Sequence, residues 1–60
     1  MATEKQKQAA LMAIRQKIDI ADRVGLVATA QNWRDLYANV SNRPAAQIIM
    51  AANAAAAQEF

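Results

Sequence analysis

The sequence predicts an all-α chain of two to three helices, over about 4–24, 30–40 and 44–58, forming a helical hairpin or small bundle that oligomerisation or docking completes. Three observations predict it. Thr3-Glu4-Lys5-Gln6 matches a capping box and opens a long run with apolar residues at three-and-four spacing. Trp33, Leu36, Tyr37 and Val40 share one face of a second run, with Gln31, Arg34, Asp35 and Ala38 opposite. The stretch Pro44 to Phe60 is rich in alanine, the best helix former, and nowhere do apolar and polar residues alternate as in a half-buried strand.

In the first helix the Thr3 side chain is placed to accept from the Gln6 amide while the Gln6 side chain reaches back. The helix is expected to run to about Val24, because Gly25 supplies the left-handed residue that commonly follows a helix end. Its apolar residues form two seams: Leu11, Ile14, Ile18 and Ala21 on one side, and Ala9, Ala13, Ile20 and Val24 on the other. Two seams imply two neighbours. Arg15, Asp19 and Arg23 are spaced by four and are expected to form a ladder of surface ion pairs.

Leu26, Val27 and Ala28 read as an apolar connector, with Thr29 as the cap of a second helix from Ala30 to Val40. Ser41-Asn42-Arg43-Pro44 breaks that helix, since the residue before a proline avoids the helical region. Pro44 suits the first turn of a third helix, capped by Asn42 or Ser41. On this last helix Ile48, Ala52 and Ala55 lie on one side and Ala46, Met50 and Ala57 nearly opposite, with no lysine or arginine between. A helix that is apolar all round is normally covered all round. Small side chains also let another backbone come close.

Composition limits what such a chain can do. At 60 residues it is a single small domain, and folding at that length removes only about 60% of the unfolded chain's surface from water. Disulfides, metals or neighbours usually make up the deficit. The chain has no cysteine and no histidine, so a disulfide framework, a thiolate metal site and a neutral-pH proton shuttle are all excluded. The net charge of +2 is a weak bias, concentrated before Gly25, and does not by itself call for nucleic acid. No basic start is followed by an apolar run, so no secretion signal is expected. The alanine-rich end falls short of the ~20 strongly apolar residues of a membrane span. A cytoplasmic setting, or the interior of a viral particle, fits these features.

Catalysis is not expected, nor any cofactor or metal. The nucleophile candidates are Ser41, Thr29, Tyr37 and the lysines, none beside an evident base. Asp19 and Asp22 are flanked by arginines, which reads as a solvated ion-pair face. Trp33 and Tyr37 read as core, being the bulky rings available to it. Met12 and Met50 lie off the main seams, where a flexible thioether can fill gaps against another chain.

The run Asp19 to Tyr37, with Ile20-Ala21, Val24-Gly25-Leu26 and a polar helix following, resembles the helix-turn-helix family of DNA-binding proteins. That resemblance implies that Thr29, Gln31, Asn32 and Arg34 face the major groove. Departures stand beside it: Gln31 occupies a place where the family usually has an apolar residue, Trp33 comes one residue early, and Val27 replaces the usual polar cap.

The function expected from these readings is that of a structural or assembly component, contacting copies of itself in a homo-oligomer or a larger protein. A phage virion or accessory protein would have these traits. The contact residues expected are Leu11, Ile14, Ile18, Ile20 and Val24 of the first helix and Ile48, Ile49, Met50, Ala52 and Ala55 of the third. A small DNA-binding regulator and an inhibitor of a host protein are the alternatives.

Overall fold

The computed structural model describes residues 2–58. Its three helices are α1 (Glu4–Arg23), α2 (Val27–Val40) and α3 (Ala45–Ala56). The capping box forms as the residues predict: the Thr3 amide donates to Gln6 Oε1 at 2.9 Å, and the Gln6 amide donates to Thr3 Oγ1 at 3.2 Å. At the other end Val24 is the C-cap and Gly25 takes φ +81°. The Leu26 amide donates to the Ala21 carbonyl at 2.8 Å and the Gly25 amide to the Asp22 carbonyl at 3.2 Å, the paired bonds of a Schellman motif.

This closure corrects the expected start of α2. The motif ends on Leu26, whose carbonyl at once accepts the Ala30 amide at 2.9 Å, so the helix begins at Val27 and not at Ala30. Thr29 lies inside the first turn and Leu26 is an N-cap with no side-chain bond. The second break also differs in detail. Pro44, with an extended backbone (φ −56°, ψ 149°), is itself the N-cap of α3, which has no side-chain cap. Ser41 serves the other helix: its hydroxyl donates to the Ala38 carbonyl at the end of α2. Helix α3 stops at Ala56, two residues before the expected end.

Both later helices pack chiefly on α1 and barely touch each other. The spine of the molecule is therefore α1, and the alanine-rich α3 is one of two flanks. Two clusters make up the core. In one, Ala10, Leu11 and Ile14 meet Ile48 and Ala52, with Leu36, Tyr37 and Val40 of α2 packed against them. In the other, Ala21, Ala30, Trp33 and Ala55 close together, with Ile18 and Leu36 alongside. Ile48 beside Leu11 and Ala55 beside Ala21 place α3 along α1 in the same sense, so the chain runs up, down and up again. The fold is an all-α three-helix bundle.

Alanine decides where the helices come closest. Ala21 and Ala30 are completely buried and Ala55 nearly so, which lets three backbones converge around the Trp33 ring. The indole Nε1 is buried there without a hydrogen-bond partner. Such an orphaned donor costs about 1 to 3 kcal/mol relative to a satisfied one, so Trp33 stabilises by its apolar area alone.

Candidate interaction surface

The ten residues expected at contacts separate into three groups. Leu11, Ile14, Ile48, Ala52 and Ala55 are buried inside the chain's own core. Ile18 and Ile49 are half-buried against its two clusters. Ile20, Val24 and Met50 remain exposed, at 41%, 58% and 69%. The structure therefore brings the first seam of α1 and the Ile48 side of α3 against each other, and neither is free for a neighbour. The reason is length: a four-residue break lets α3 fold back, and its Ile48–Ala52–Ala55 stripe then meets α1 at helical register.

The second seam of α1 meets a different fate. Ala9, Ala13, Ile20 and Val24 are all exposed, and the first three border a groove along the α1–α3 boundary. One section of about 350 Å³ lies between Ala9, Ala10 and Ala13 on α1 and Ile49, Asn53 and Ala56 on α3. The next, of about 260 Å³, continues past Gln16, Lys17 and Ile20 and shares Ala13, Ala52 and Ala56 with the first. Lys17 is the one charged residue lining either section, and its ammonium donates to the Gln58 carbonyl. At the end of α1 the apolar exposure continues through Val24, Leu26 and Val27, the last 77% exposed.

The α1–α2 boundary carries a cleft of about 420 Å³ of opposite character, lined by Arg15, Ile18, Asp19, Asp22, Arg34 and Tyr37. Here Arg34 Nη2 donates to Asp22 Oδ2 at 2.6 Å, tying α2 to α1. The expected Arg15–Asp19–Arg23 ladder does not form among the described residues, where all three side chains are exposed and the ion pair that forms is between helices. With both partners about half exposed, the pair is worth well under 1 kcal/mol.

Of the residues that a helix-turn-helix reading places on DNA, two are already engaged. Arg34 is held by Asp22, and the Gln31 Nε2 donates to Asp35 Oδ1 at 3.0 Å. Thr29 and Asn32 border a cleft beside Trp33 and Gln58, so the residue that follows the cap of α3 stands next to them. The Asp22 and Asp35 carboxylates that hold Arg34 and Gln31 would repel phosphate.

No family model, curated protein or solved structure matches the chain. Among the described residues no cluster of three His, Cys, Asp or Glu side chains is placed to hold a metal ion. No described helix is long and apolar enough to cross a membrane.

Residue spacing pointed to Ile20, Val24 and Met50, but it missed Asn53 and Ala56. Asn53 is the one polar residue between Met50 and Ala57, a signal that was present in the sequence.

Proposed function

We propose that this chain is a non-enzymatic assembly component that works by packing the α1–α3 side of its bundle against protein. The observation that carries the reading is the groove just described: two contiguous sections, lined mainly by alanine and isoleucine, with a single charge already bonded. Interface centres are depleted in charge and packed as tightly as protein interiors. Alanine-lined grooves meet both conditions, because they expose little to desolvate and let a helix approach closely. Exposed Met50 and the Val24–Val27 corner extend the same apolar side.

Residues spent on the core cannot serve this purpose, so the contact set narrows to Ala13, Ile20, Val24, Met50, Asn53 and Ala56. A photo-crosslinking side chain in place of Ala13 or Ala56, in cells making the protein, is expected to give discrete protein adducts. The same side chain in place of Gln8 or Asn39, both exposed elsewhere on the surface, is expected to give none. Absence of adducts from both groove positions would sink the reading.

A further inference from the structure

We draw no further inference here: the strongest candidate, the apolar groove along the α1–α3 boundary with the exposed Met50 and Asn53 of α3, belongs to the surface already described, and nothing in the structure shows what covers it.

Discussion

The two sides of α1 are built from the same kind of helix and end up doing different work. Toward α2 the boundary is closed by large side chains, Trp33, Leu36, Tyr37 and Val40, and its surface cleft carries two arginines and two aspartates. Toward α3 it is closed by Ile48 and alanines, and its surface groove is nearly free of charge. Charged side chains hold water at the first boundary, so covering it would cost desolvation that an exposed pair hardly repays. Alanine exerts no such hold. The difference shows how residue size and charge, at equal helicity, separate a finished boundary from an open one.

The largest effect should come from the residue beneath both sides. Ile14 is completely buried in the cluster that α3 forms with α1 and against which α2 packs. Ile14→Ala is expected to cost about 2 to 5 kcal/mol, enough to abolish the cooperative unfolding transition in a chain of this size. Urea titration followed by circular dichroism measures it. Retention of a wild-type midpoint would mean that the two sides do not share a core.

A smaller effect contrasts closed and open alanines. Ala21→Leu, at a completely buried close approach to Ala30, Trp33 and Ala55, should destabilise by about 1 to 3 kcal/mol through overpacking. Ala13→Leu, exposed on the groove, should change stability by less than about 0.5 kcal/mol while lowering the yield of protein adducts from a photo-crosslinking side chain at Ala56. Equal losses of stability from the two substitutions would erase the distinction between the boundaries.

The smallest effect concerns the ion pair. A double-mutant cycle on Asp22→Asn and Arg34→Gln is expected to give a coupling of no more than about 0.5 kcal/mol, fading in high salt. A coupling several times larger would show that the charged side is held by its ions and not by its aromatic and aliphatic side chains.

Much of this was legible in the residues. Thr3 and Gln6 cap α1, Gly25 ends it, and the Trp33–Leu36–Tyr37–Val40 face of α2 turns inward, all through spacings within a few positions. Thr29 misled because a threonine just before a polar helical run reads as a cap, and only the Leu26–Ala21 bond shows that the turn had already closed. Leu11, Ile14, Ile48, Ala52 and Ala55 were expected to reach other chains for a related reason. Their apolar spacing says that they will be covered, not by whom.

By itself the sequence determined the local chemistry of this protein: two to three helices, breaks near Gly25 and Pro44, and an excess of small apolar surface without cysteine or histidine. Hydrogen bonds and backbone preferences within about one helical turn suffice for that. Only the tertiary structure decided that α1 is the spine, that Asp22 pairs with Arg34, and that one seam of α1 is buried while the seam of Ala9, Ala13, Ile20 and Val24 stays open. Those outcomes depend on distances between residues far apart in the chain, and the direction in which α3 returns sets those distances.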